Sequence, residues 1–118
     1  MASTKTVAFE GTARADLRAF PEAARQDLGG MLWALENGHD PADYTPISSV
    51  GPGAMELRAT KIGPQGQDFR VVYVAKFDDH IYVLHAFEKK TLKTPHHQIA
   101  KAKARYKALV ARLKQASK

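Results

Sequence analysis

Four cations, Arg58, Arg70, Lys89 and Lys90, stand where an antiparallel sheet would gather them. Arg58 lies in AMELRAT (Ala54 to Thr60), Arg70 in FRVVYVAKF (Phe69 to Phe77), and the lysines close IYVLHAFEKK. If Asp79-His80 is a two-residue hairpin loop, Arg70 faces Lys89; a three-residue loop would place Phe69 there instead. Arg58 reaches the same edge if its strand pairs with Phe69 to Phe77 around GPQGQD (Gly63 to Asp68). Like charges directly opposite one another destabilise a sheet, and a fold accepts them more readily when an anion sits between them.

A cluster of Arg and Lys without metal ligands suits a phosphate, which arginine holds bidentately and lysine meets as a point charge. Such a site can cleave RNA without a metal. A base removes the 2′-OH proton, cations stabilise the charge growing on the phosphate, and an acid protonates the departing 5′ oxygen. His85, His96 and His97 are acid or base candidates by their ordinary pKa. His85, inside a strand, reads equally as a satisfied core histidine, and His96 and His97 as surface residues starting a helix. Lys89 or Lys90 also qualifies if crowding lowers its pKa.

Other chemistries find no footing. GPGAMEL and GPQGQD lack both the Gly-Lys-Ser/Thr ending of a phosphate loop and the dinucleotide fingerprint. Asp78-Asp79-His80 lies between two strong strands and reads as a turn. Adjacent His96-His97 cannot face one metal from a helix, and without cysteine a zinc site needs His and carboxylates alone. Neither a metal nor another cofactor is expected. Glu56 and Glu88 could pair across a sheet but the sequence gives them no role, and Ser48 and Ser49 have no catalytic context.

The elements that must position the cations follow from periodicity. Lys5 to Phe9 is a short strand; Thr12 to Ala19 is a short helix capped by Thr12. Pro21 opens a second helix, with Ala24, Leu28, Met31, Leu32 and Leu35 at helical spacing and Gly38 at its end. Gly29-Gly30 weakens that helix by about 1 kcal/mol per glycine. Asp40 to Gly53 reads as a long loop. Three antiparallel strands follow, two of them apolar on both faces and therefore central in a covered sheet. Thr94 and Pro95 start a last helix, whose stripe of Ile99, Ala102, Tyr106, Leu109, Val110 and Leu113 docks it. The expected fold is one α+β domain over residues 1–118: an N-terminal strand and two-helix hairpin, an antiparallel central sheet, and a basic C-terminal helix.

The 118 residues carry net charge +6, and the excess is uneven. From Lys89 to Lys118 there are ten Lys or Arg and no acid. This is either a solubilising helical tail or a surface for a polyanion, an anionic membrane or an acidic partner. Lys93, Lys101, Lys103, Arg105 and Lys107 are then the RNA-tracking candidates. There is no apolar run near the roughly 20 residues of a membrane span, and no secretory signal is evident. A cytoplasmic protein without membrane partners is expected.

ELR (Glu56 to Arg58), FRVVY (Phe69 to Tyr73) and LHAFEKKTLKTP (Leu84 to Pro95), followed by a basic helix, resemble the phage-derived HigB-type toxins of the RelE/ParE superfamily of type II toxin–antitoxin systems. The resemblance covers about Val7 to Leu113, and HAFEKKTLKTP is its most specific part. It implies ribosome-dependent mRNA cleavage, inhibited translation, and a cognate antitoxin with a helix-turn-helix domain. It also implies that Arg58, Arg70 and Lys89-Lys90 serve the mRNA phosphate. Where some relatives place a tyrosine or histidine near the C-terminus as acid or base, this chain offers His96 or His97. Two other readings stand beside it: a gyrase-directed toxin on the same scaffold without nuclease activity, and a non-toxic basic nucleic-acid-binding module.

Overall fold

The computed structural model describes residues 4–116. Strand β1 (Thr6–Phe9) leads into helices α1 (Ala13–Arg18) and α2 (Glu22–Glu36). Thr12 precedes α1 but does not cap its backbone; its hydroxyl donates instead to the Asp16 carboxylate one turn on, at 2.8 Å. Pro21, in extended backbone, stands immediately before α2. Gly38 ends α2 in the left-handed region at φ 76°, so the His39 N–H reaches the Ala34 carbonyl and the Gly38 N–H reaches Leu35.

The stretch Asp40 to Gly53 is more than a loop, because Tyr44–Pro46 forms strand β2 on the edge of the sheet. Strands β3 (Ala54–Ile62), β4 (Gln67–Val74) and β5 (His80–Lys89) follow, and α3 (His96–Ala116) closes the described chain. The sheet order is β1-β5-β4-β3-β2. Three of its pairings are antiparallel, but β1 runs parallel to β5, which corrects the expectation of a purely antiparallel sheet. The physical reason is topological: the helices carry the chain from β1 to β2 at the far edge, and the successive antiparallel strands back across the sheet leave β5 pointing the same way as β1. Lys5 fastens this edge by donating to the carbonyls of Ala75 and Asp78.

Both faces of the sheet are covered. On one, α1 and α2 bury Ala13, Ala24, Leu28 and Met31 against Leu57, Ala59, Phe69, Val71, Ile81 and Val83. On the other, Ala102, Tyr106 and Leu109 of α3 pack on Val72, Val74, Tyr82, Leu84 and Phe87. The expected stripe of α3 is thus the docked one, and β4 and β5 are central as their two-sided apolar character demands. Tyr106 belongs to this core; its ring lies over Gly51 and its hydroxyl donates to the Pro52 carbonyl at 2.6 Å.

The β4–β5 register differs from the expected hairpin. Five residues, Ala75 to Asp79, connect the strands, and the Asp78 carboxylate accepts from the His80 N–H at 2.9 Å and the Tyr82 hydroxyl at 2.7 Å. Farther along, Val72 pairs with His85 but Tyr73 with Val83, so Leu84 is an extra residue in β5. Arg70 consequently lies opposite Phe87, not Lys89, and Lys89 lies opposite Asp68.

Gly29 and Gly30 sit on the solvent side of α2, where an added Cβ would meet nothing within 4 Å. Gly29→Ala and Gly30→Ala should each raise unfolding free energy by roughly 0.5–1 kcal/mol in urea titrations, because alanine limits the unfolded chain and favours the helix. A loss of stability in either variant would show that the outer face of α2 is packed.

Candidate active site

The bulge in β5 decides which side chains meet. Up to Leu84 the strand alternates normally, with Tyr82 and Leu84 towards α3 and Ile81 and Val83 towards the other helices. After it, Ala86 faces α1 and α2 while Phe87 faces α3. Lys89 therefore falls on the α3 face, and Glu88 on the opposite one, where Gln67 donates to it at 3.2 Å.

On the α3 face the neighbouring strands set Arg58 of β3 directly opposite Arg70 of β4. Glu56 is two residues from Arg58 on the same face, and its carboxylate lies 3.3 Å from Arg70 Nε. This pair is nearly sealed, with side chains 8% and 7% exposed, yet its alignment is not that of a hydrogen bond. Glu56 Oε2 and Arg70 Nε have no hydrogen-bond partner. Arg58 is held instead by Asp43, just before β2, with Nη2 2.7 Å and Nε 2.8 Å from the same carboxylate oxygen. The like-charge pair that the sheet would resist is relieved by one carboxylate for each arginine.

Burial pushes the Glu56 carboxyl above the usual range, while the positive charges of Arg70, Lys89 and Arg58 pull the other way. Arg70 Nη1 donates to the Phe69 carbonyl at 3.4 Å, but a carboxyl with raised proton affinity, an acceptor oxygen without a donor and a guanidinium Nε without an acceptor make a place for a hydroxyl and an anion together. No role was assigned to Glu56 from sequence. The signal was there in MELR: Glu56 and Arg58 share a face at spacing two, while Met55, Leu57 and Ala59 give the other face of the strand to the core.

The remaining candidates scatter. Lys90 and Lys93 are exposed in the loop after β5, and His96 and His97 are exposed where α3 begins. Neither histidine is among the leading charges acting on Glu56. Lys101, Lys103 and Lys107 are exposed on α3. Arg105 turns inward: it donates to the Leu84 carbonyl at 2.9 Å, to Thr12 Oγ1 at 3.0 Å and to His85 Nδ1 at 3.2 Å. Its guanidinium also lies against Gly11, at φ 55°. Among the described residues no group of three or more His, Cys, Asp or Glu is placed to hold a metal.

His85 is a buried, partnered core histidine. Arginine only donates, so Nδ1 accepts from Arg105 and the ring proton sits on Nε2, facing Gln98 Oε1. The ring stacks on Phe87 with centroids 5.2 Å apart. Burial, with Arg105 and Lys101 adding repulsion, pushes its pKa below 6.5, against the opposing pull of the Gln98 hydrogen bond and Asp16. Below pH 6.5 the unfolded chain therefore binds a proton that the folded histidine resists, and stability falls as pH drops. Thermal melts from pH 7.5 to 5 should show a steeper loss for the natural chain than for His85→Asn. Parallel curves would mean that His85 takes its proton freely.

Residues 15–107 match the family model described as Phage derived protein Gp49-like (DUF891). No curated protein matches the chain. The matched span runs from within α1 to the middle of α3 and includes Glu56, Arg58, Arg70, His85 and Lys89. The chain therefore belongs to the Gp49-like family of phage-derived proteins, a RelE/HigB-like toxin family of toxin–antitoxin systems.

Proposed function

We propose that this protein is the toxin of a type II toxin–antitoxin system and acts as an endoribonuclease on mRNA in the ribosome, of the HigB type. The observation that carries the reading is the sealed Glu56–Arg70 pair, with its unpartnered polar atoms, flanked by Arg58 and Lys89. Family membership supports the toxin context. The setting is the cytoplasm, where translating ribosomes are. The neutralising partner is a cognate antitoxin, and no membrane is involved; no described helix is long and apolar enough to cross one.

In this reaction Glu56 takes the proton from a ribose 2′-OH, and the oxygen attacks the adjacent phosphorus. Arg70 and Lys89, with Arg58 behind them, stabilise the charge that grows on the phosphoryl oxygens. The P–O5′ bond breaks, and the departing oxygen gains a proton from an exposed donor outside the sealed pair, for which Lys90, His96 and His97 are the candidates. The products are a 2′,3′-cyclic phosphate and a 5′-hydroxyl end, and neither metal nor cofactor takes part. Lys93, Lys101, Lys103 and Lys107 extend the cationic surface along the RNA backbone. Arg105 serves the fold.

Induction in cells should arrest translation and leave 5′-hydroxyl cuts within translated mRNA. Glu56→Gln keeps the shape of the site and should lower cutting about 10²- to 10⁴-fold. Because Arg70 then keeps a buried charge without its counter-charge, that variant should lose up to about 3–5 kcal/mol of stability, so cutting is compared at a temperature where urea titration shows both chains folded. Arg70→Gln in the Glu56→Gln background should cut no better. Normal cutting by Glu56→Gln sinks this assignment, and intact mRNA with stalled replication would point to gyrase.

A further inference from the structure

Beside the candidate site, and resting on the nuclease reading, lies a second feature: a groove of about 490 Å³ at the end of the sheet. Its volume falls in the range of roughly 300–1,000 Å³ typical of small-molecule sites. One wall is the β3–β4 turn with Gln65 and Gln67; the other is the end of β5 and the following loop, with Glu88, Lys89 and Leu92. Lys89 is common to both features, since its charge also acts on Glu56. Whatever enters the groove is thus next to the phosphate that Arg70 and Lys89 would hold.

The lining argues against a second phosphate. Asp68 and Glu88 border the groove and offset the charge of Lys89 and Lys90, which also line it, so no net positive charge is left to hold a second anion. Each carboxylate is anchored through one oxygen, Asp68 to the Lys61 N–H and Glu88 to the Gln67 amide, both at 3.2 Å. The other oxygens, the exposed Gln65 amide and the Gln67 carbonyl oxygen are hydrogen-bonding groups suited to N–H donors. At the rim, Leu92 is 98% exposed, an apolar side chain between Lys90 and Lys93. A flat ring with amino hydrogens on its edge satisfies this combination: its edge meets the amides and carboxylates, its face meets Leu92, and its own phosphate stays with the lysines.

We infer that the groove between Gln65–Gln67 and Glu88–Leu92 is a nucleobase subsite that selects an amino-bearing base of single-stranded RNA adjacent to the phosphate at Arg70. Adenine, guanine and cytosine present the exocyclic amine that the two carboxylates accept; uracil does not. Gln65 and Leu92 are the specificity-determining residues. The sheet holds the reacting phosphate, and the two loops at its end read the neighbouring letter.

The test separates base recognition from chemistry. RNA trinucleotides 2′-O-methylated throughout cannot be cut, and they are made with adenine, uracil or an abasic ribose at each position in turn. Binding to the purified full chain is followed by amide chemical shifts. At one position adenine should bind about tenfold more tightly than the abasic ribose, the scale of a stacked and hydrogen-bonded base, with uracil between. In the double variant Gln65→Ala/Leu92→Ala that ratio should fall to about one. Equal binding of all three ligands, or a preference that survives in the double variant, overturns the subsite, as does no binding at all. A chain that cuts translated mRNA yet shows no base preference loses the subsite alone. One that prefers the amino-bearing base but cuts no mRNA loses the nuclease reading alone.

Discussion

The bulge at Leu84 is the constraint on which the rest of the molecule hangs. One extra residue in a central strand reverses the facing of everything after it, so that Lys89 and not Glu88 joins Arg70 and Arg58. The bulge leaves strand groups without their usual partners, and Arg105 of α3 takes up the Leu84 carbonyl. The same guanidinium meets the His85 ring and the Thr12 hydroxyl, tying helix, strand and the entrance of α1 at one point. The docking of α3 and the charge of the site are therefore one structural fact. A basic residue that sequence places on an RNA-facing shoulder is consumed in making the basic site possible.

The site itself is a balance of opposed costs. Arg58 facing Arg70 is unfavourable in a ladder, and a buried carboxylate is unfavourable alone. Together with Asp43 they form a row in which no charge is left far from its opposite. The balance is incomplete: Arg70 Nε lies 3.3 Å from Glu56 Oε1 without a proper hydrogen bond, and Glu56 Oε2 has no donor. Polar groups buried in this state are rare in folded proteins because each imposes a penalty of about 1–3 kcal/mol. Their coincidence on one pair, beside Lys89, is why the pair is read as functional and not as a stabilising clamp.

Much of this was legible in the residues. Period-two apolar runs located β3, β4 and β5, and the stripe from Ile99 to Leu113 located the buried side of α3. Pro21, Gly38 and Pro95 marked helix ends within two residues of where they fall. What stayed hidden was relational. LHAF is apolar to either side of the bulge, so nothing in it reports which residue is extra. The parallel pairing of β1 depends on how the helix hairpin returns the chain, and β2 exists only because β3 offers an edge. Glu56 was invisible as a partner of Arg70 because that contact is a diagonal one between β3 and β4, where Arg70 stands opposite Arg58 and Glu56 opposite Val72.

The distribution of functional groups also follows from stiffness. Glu56, Arg58 and Arg70 lie on central or near-central strands covered on the α3 side, where their positions are fixed by ladders on each side. Proton transfer and charge stabilisation need that accuracy, since a displacement of about an ångström can cost two orders of magnitude in rate. Lys90, Leu92 and Lys93 lie in the loop between β5 and α3, anchored locally by the Thr91 hydroxyl on the Lys93 carbonyl. A loop can exchange residues without disturbing the strands, so preference for one RNA context over another can change there while the chemistry is kept. On the proposed nuclease reading, the KKTLK segment lies at the boundary between the part of the protein that must be rigid to react and the part that is free to vary in what it reads.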